Sequence, residues 1–114
     1  MKFESSLRSV LATVALITLS VPSMGRSNEP TTHHIAISQF RFFPDHLSVQ
    51  PGDTIIWTNR DVVAHKATAI DESWDTGALK TGESNNVVVT GDFTLRYFCP
   101  FHPTMKAELE NGYR

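Results

Sequence analysis

Apolar and polar positions alternate along most of this chain. Between Thr32 and Ser38 the alternating Ile35 and Ile37 read as the buried face of a strand. Phe42-Phe43-Pro44 breaks that run, and His46 to Val49 resumes it. Pro51-Gly52-Asp53 is a turn signal, followed by the β-rich run Thr54-Ile55-Ile56-Trp57-Thr58. Val62 to Ile70 is a further candidate strand. Asp71 to Ser84, holding Gly77 and Gly82, reads as loop with room for one short strand, and Asn86 to Thr90 carries three valines. Beyond Gly91-Asp92, the residues Phe93, Leu95, Tyr97 and Cys99 alternate with Thr94, Arg96 and Phe98. Met105, Ala107 and Leu109 then fall on one face, with Lys106, Glu108 and Glu110 on the other. No stretch after residue 26 has a helical period. Seven to eight short strands predict an all-β, Greek-key β-sandwich.

The first residues follow a different pattern. Lys2 and Arg8 precede an apolar run, Val10 to Leu19, that is too short to span a bilayer. Ser23 and Gly25 have the small-x-small spacing of a secretory cleavage site. Residues 1–25 therefore read as a signal peptide, cleaved after Gly25 or alternatively after Ser23. Residues 26–114 form the folded domain behind a short lead, Arg26 to Pro30. The expected destination is the periplasm. A length of 114 residues suits one domain, and a net charge of −2 gives no footprint for nucleic acid or a membrane surface.

Export sharpens the meaning of the single cysteine. A small exported domain often needs a staple, and one cysteine cannot form an internal disulfide. A bound metal is the other common staple. Alternation puts Cys99 on the inward face of its strand, and Met105 begins the inward face of the next. The loop between them, Pro100 to Thr104, holds His102 at its middle and is stiffened by two prolines. Thiolate, imidazole and thioether together favour copper over zinc, iron or magnesium. Structural zinc would want four Cys or His ligands, and c-type haem needs C-x-x-C-H. A cysteine nucleophile with His102 as base lacks a third partner. A mononuclear copper site needs a second histidine, for which His65 is the best candidate. His33 and His34 are adjacent and point to opposite sides, and His46 lies in a turn. These three read as solvent-exposed or structural.

Two motifs, Asn59-x-Asp61-x-x-x-His65 and Cys99-x-x-His102-x-x-Met105, together resemble the blue-copper cupredoxins, most of all amicyanin and its plastocyanin-like relatives. The resemblance runs from about Ile35 to Glu110 and includes Val49 to Trp57. It implies one type 1 copper ion held by His65, Cys99, His102 and a weak axial Met105, and electron transfer rather than an enzymatic reaction. It also implies that the Asn59 side chain ties the two ligand loops while its backbone amide points at the Cys99 sulfur. His102 would present its edge as the electron port inside an apolar collar of Pro100, Phe101 and Pro103. The partners implied are transient redox proteins, a dehydrogenase or a cytochrome, meeting a monomer. A copper carrier or storage protein is the alternative. The loop departs from amicyanin, which commonly has proline at the position of Phe101, phenylalanine at that of Thr104 and threonine at that of Pro100. With a backbone N–H in place of proline, Phe101 is expected to donate to the Cys99 sulfur.

Overall fold

A computed structural model describes residues 29–112, together with Thr13 and residues 15–17. The expected signal peptide and its cleavage site otherwise lie outside the described residues. Among the described residues no helix is long and apolar enough to cross a membrane.

Eight strands follow in order: β1 (Thr32–Ser38), β2 (Arg41–Phe43), β3 (His46–Val49), β4 (Thr54–Asn59), β5 (Thr68–Ala69), β6 (Ser84–Val88), β7 (Arg96–Cys99) and β8 (His102–Asn111). They form two four-stranded sheets, β2-β1-β4-β6 and β3-β8-β7-β5. Every connection from β2 to β7 crosses between the sheets, as a Greek-key sandwich requires. β1 lies parallel to β4 and β3 parallel to β8, while the other pairs are antiparallel.

The period-two pattern selects the buried faces. Ile35, Ile37, Ile55, Trp57, Tyr97, Cys99, Met105 and Leu109 all point into one core. Between the sheets, Trp57 stacks on Trp74 with ring centroids 5.3 Å apart, and Trp74 stacks on Phe93 at 4.8 Å. Tyr97 meets Phe42 edge-on at 4.7 Å. Such pairs add about 0.5–1.5 kcal/mol each beyond the apolar area they bury.

Five expectations need correction. Phe42 and Phe43 do not break the first strand. The chain reverses at Gln39-Phe40 and β2 pairs back on β1, after which β3 joins the other sheet. Val62 to Ile70 is not a continuous strand, since only Thr68–Ala69 pairs as one and Val62 is 88% exposed. Phe93 and Leu95 precede β7 and only pack against the core from outside it. The last loop is tighter than expected, for β8 begins at His102, which pairs directly with Cys99 across Pro100-Phe101. His33 is half-buried and His34 exposed in β1, and His46 opens β3 rather than lying in a turn. His33 Nε2 donates to Asp53 Oδ2 at 2.8 Å, and His46 is on the surface.

Two polar features of this frame lead to measurable outcomes. Among the described residues, the Tyr97 hydroxyl and the Trp57 indole N–H are buried without a hydrogen-bond partner. Burial pushes the Tyr97 hydroxyl far above its ordinary pKa, and the nearby Trp57 indole offsets this only in part. An unsatisfied buried group costs about 1–3 kcal/mol, so Tyr97→Phe should hold or raise stability, by roughly 1 kcal/mol in urea unfolding. A loss of that size would mean the hydroxyl is satisfied. Asp71 is the second. Hydrogen bonds from the Thr94 hydroxyl (2.6 Å) and the Ser73 hydroxyl (2.7 Å) hold its pKa down at about 2, from an ordinary 3.8. The folded chain binds this proton more weakly than the unfolded chain, so its contribution is complete above the ordinary value and disappears as pH falls through the folded one. Asp71→Asn should therefore melt below the wild type at pH 5, with the gap closing by pH 2. A gap independent of pH would contradict the assignment.

Candidate metal centre

The site lies where β1 and β4 end, β6 and β8 begin, and β7 ends. Parallel pairing of β1 with β4 carries both to the same end of the sandwich, at Ile37 and Asn59. The inward alternation of β4, Ile55-x-Trp57-x-Asn59, therefore delivers a carboxamide to the core edge, fully buried. Its Nδ2 donates to the carbonyls of Val63 and Leu79, both at 2.8 Å. Its Oδ1 accepts the Asp61 amide at 2.9 Å. Asn59 thus ties the irregular segment after β4 to the segment around Leu79, rather than to the Cys99 loop. Its backbone amide donates to the Glu83 carbonyl at 2.9 Å and not to sulfur, which corrects that expectation.

The segment so held presents His65. Its backbone exchanges hydrogen bonds with Leu79, N–H to O at 3.1 Å and the reverse at 2.8 Å. The side chain is completely buried, with Nε2 2.9 Å from Asp61 Oδ2. The other ring nitrogen, Nδ1, stands 3.8 Å from Cys99 Sγ. Cys99 is itself fully buried at the inward end of β7, and a register shift between Phe98 and Cys99 turns the strand there. A carboxylate only accepts hydrogen bonds, so in the neutral ring the proton sits on Nε2 and the Nδ1 lone pair faces the sulfur. The Asp61 carboxyl is held below the ordinary carboxylate range, first by the Phe40 amide and then by His65.

His102 is half-buried, its ring 5.0 Å from that of His65. Met105 is buried three positions along β8, in the same core cluster as Cys99. Phe40 covers both histidines edge-on, at 5.3 Å from the His65 ring and 4.9 Å from the His102 ring. Among the described residues, Cys99 Sγ has no hydrogen-bonding neighbour besides His65 Nδ1, so the expected Phe101 N–H contact is not made. The structure thus joins His65 directly to Cys99 and brings His102 against His65 by its ring. Among the described residues no three His, Cys, Asp or Glu side chains stand as a closed metal cage.

The donor set nevertheless fits a soft-to-borderline metal ion. Nitrogen and thiolate ligands sit at about 2.0–2.3 Å from such ions, so the 3.8 Å separation of Nδ1 and Sγ would let one ion be held by both. A half-buried imidazole beside them, and a buried thioether nearby on β8, supply two more soft-to-borderline donors. Asp61 and Phe40 are site residues to which sequence reasoning gave no role. Asp61 was visible in its motif, four residues before His65, the spacing at which it now bonds the ring. Phe40 carried no signal, because it is brought here only by a hairpin turn.

The sequence matches no protein-family model and no curated protein. Solved structures do match. A purple cupredoxin from Nitrosopumilus maritimus is 24% identical, with a TM-score of 0.65 over 70% of this chain and 99% of the other. A reduced amicyanin in which a proline is replaced by phenylalanine is 22% identical, with a TM-score of 0.61 over 71% of this chain and 82% of the other. A copper-containing nitrite reductase from Thermus scotoductus SA-01 is 24% identical, with a TM-score of 0.64, but this chain spans only 25% of its length. With its eight strands in two four-stranded sheets and these structural matches, the fold of this chain is a cupredoxin-like β-sandwich.

Proposed function

We propose that this chain is an exported electron carrier with one type 1 copper ion, held by His65, Cys99, His102 and Met105. The observation that carries this reading is the buried approach of His65 Nδ1 to Cys99 Sγ, with the opposite ring nitrogen already engaged by Asp61. That leaves one lone pair of the ring free, and it faces the only thiol. When bound, copper supplies a one-electron couple between Cu(I) and Cu(II). The protein's part is to hold the ligands still while the electron passes. Cys99 and His102 are held by strand pairing, and His65 by a two-way backbone bridge to Leu79. Cys99 would lose its proton on binding metal, and burial keeps the thiolate from solvent.

The run Val10 to Leu19 and the small residues at Ser23 and Gly25 support export to the periplasm, with residues 1–25 removed. Phe101, 49% exposed, and exposed Pro103 flank His102, so the face nearest the site is apolar. It suits a brief encounter with a redox protein such as a dehydrogenase or a cytochrome.

Purified protein loaded with Cu(II) should bind one copper per chain, show an intense thiolate-to-copper band in the visible, and give a reversible one-electron wave. Cys99→Ser should abolish the colour and leave the far-ultraviolet β signal of the metal-free fold in place. A colourless wild type excludes the type 1 site. Tight copper binding without a reversible wave would indicate a carrier of copper rather than of electrons.

Docking gives a second outcome. Val88, 53% exposed and paired with Thr54 at the opposite end, serves as the reference position. Phe101→Asp should slow electron exchange with a cytochrome at least tenfold, while Val88→Asp leaves it unchanged. Rates in the wild type should vary little between 20 mM and 500 mM salt, because the port itself carries no charge. Equal slowing by both variants would place docking elsewhere.

A further inference from the structure

We propose that Asp61 is the positioning residue of the metal centre, a single carboxylate that fixes the proton and orientation of His65 and seats Phe40 as a cover over both histidines. The inference rests on the copper-binding reading only where the loaded protein is measured. One oxygen, Oδ2, is 2.9 Å from His65 Nε2 and also accepts the Phe40 amide at 3.0 Å. The other, Oδ1, accepts the Val62 amide at 3.0 Å. The residue's own backbone is fixed as well, by Asn59 Oδ1 on its N–H at 2.9 Å and by the Thr81 hydroxyl on its carbonyl at 2.6 Å. The side chain is 11% exposed, and the carboxylate cannot rotate without breaking several of these bonds.

Two consequences follow from that geometry. An acceptor-only group beside Nε2 selects the Nε2–H form of His65 and so turns a bare Nδ1 toward Cys99 Sγ. A nearby anion also makes the imidazole a stronger donor and favours the more positive state of whatever the ring binds. The second consequence concerns Phe40. Gln39 and Phe40 form the two-residue turn between β1 and β2, with φ of 52° and 58°, the left-handed region that a primed hairpin turn requires. Neither is glycine, so both residues are strained there. The Asp61 bond to the Phe40 amide helps hold this turn in place, and with it the ring that sits edge-on to His65 and His102. One anion therefore joins a strained turn in one part of the chain to a ligand histidine in another. A simple loop brace would explain the Val62, Asn59 and Thr81 contacts, but it would leave the His65 proton undetermined.

Nitrogen-15 NMR of the metal-free protein tests the inference directly. The wild type should show His65 as the Nε2–H tautomer, with a ring proton that exchanges slowly with water. Asp61→Ala, checked for folding by circular dichroism, should give mixed tautomers and at least tenfold faster exchange. Asp61→Asn keeps the shape and one acceptor but removes the charge. It should retain the Nε2–H form and, once loaded with copper, shift the Cu(I):Cu(II) ratio at fixed potential about tenfold toward Cu(I), equivalent to about 59 mV for one electron. Phe40→Ala should leave the tautomer unchanged and speed removal of copper by a chelator at least threefold. A wild-type His65 protonated on Nδ1 overturns the proposal, as does a folded Ala variant with unaltered tautomer and exchange, an Asn variant at the wild-type potential, or a Phe40 variant that keeps its copper as well as the wild type. If the wild type takes up no copper, the electron-carrier reading fails, while the metal-free spectra still decide the role of Asp61.

Discussion

The site depends on the buried carboxamide of Asn59. Three of its hydrogen-bonding positions are used, on the Val63 and Leu79 carbonyls and the Asp61 amide. Those backbone groups belong to segments that are not in either sheet, where buried N–H and C=O groups have no ladder to satisfy them. Without such a side chain the stretch from Arg60 to Ala64 could not be packed against the core edge in an irregular path. Asp61 and His65 take their places from that path. The polar residue at the end of an otherwise apolar inward face is therefore what converts a sheet edge into a chemical site.

The core gives that site its stiffness. Trp57, Trp74, Tyr97 and Phe42 interlock between the sheets, and Tyr97 is two residues from Cys99 on the same inward face of β7. On the other side of the site, β8 starts at His102 and runs through Met105 to Leu109. A thiol and a thioether on strands packed this way move only if the aromatic layer moves, and close-packed cores resist that. The polar end and the aromatic middle thus serve one purpose, with Asn59 and Asp61 fixing the histidine side and packing fixing the sulfur side.

Asp53 secures the opposite end by the same physical means. Its carboxylate accepts the Thr31 amide at 2.9 Å and the Gln50 amide at 3.0 Å, and it pairs with His33 at 2.8 Å. This ties the start of β1 to the turn before β4, so the parallel pair is pinned at both ends. Its register, Ile35 opposite Trp57 and Ile37 opposite Asn59, is what brings the Gln39-Phe40 turn to the level of the site.

Much of this was legible in the sequence, because strand faces and ligand chemistry are local properties. A period of two put Ile35, Ile37, Tyr97, Cys99, Met105 and Leu109 inside, and the close spacing of a thiol, an imidazole and a thioether limited the chemistry before any fold was known. What stayed hidden was set by contacts between distant segments. The β-branched run at Val62-Val63 looked like a strand, but the Val63 carbonyl is taken by the Asn59 side chain and Val62 is left exposed. The Phe101 N–H looked available to sulfur, but among the described residues the hydrogen-bonding neighbour of Cys99 Sγ is His65 Nδ1. Nothing near Phe40 announced its place over two histidines 25 and 62 positions further on, counted from residue 40 to residues 65 and 102. The sequence by itself determined which residues could be buried and which atoms could bind a metal. Only the tertiary structure decided which nitrogen of His65 faces the sulfur, because that depends on a carboxylate and a hairpin turn meeting across two elements of the sandwich.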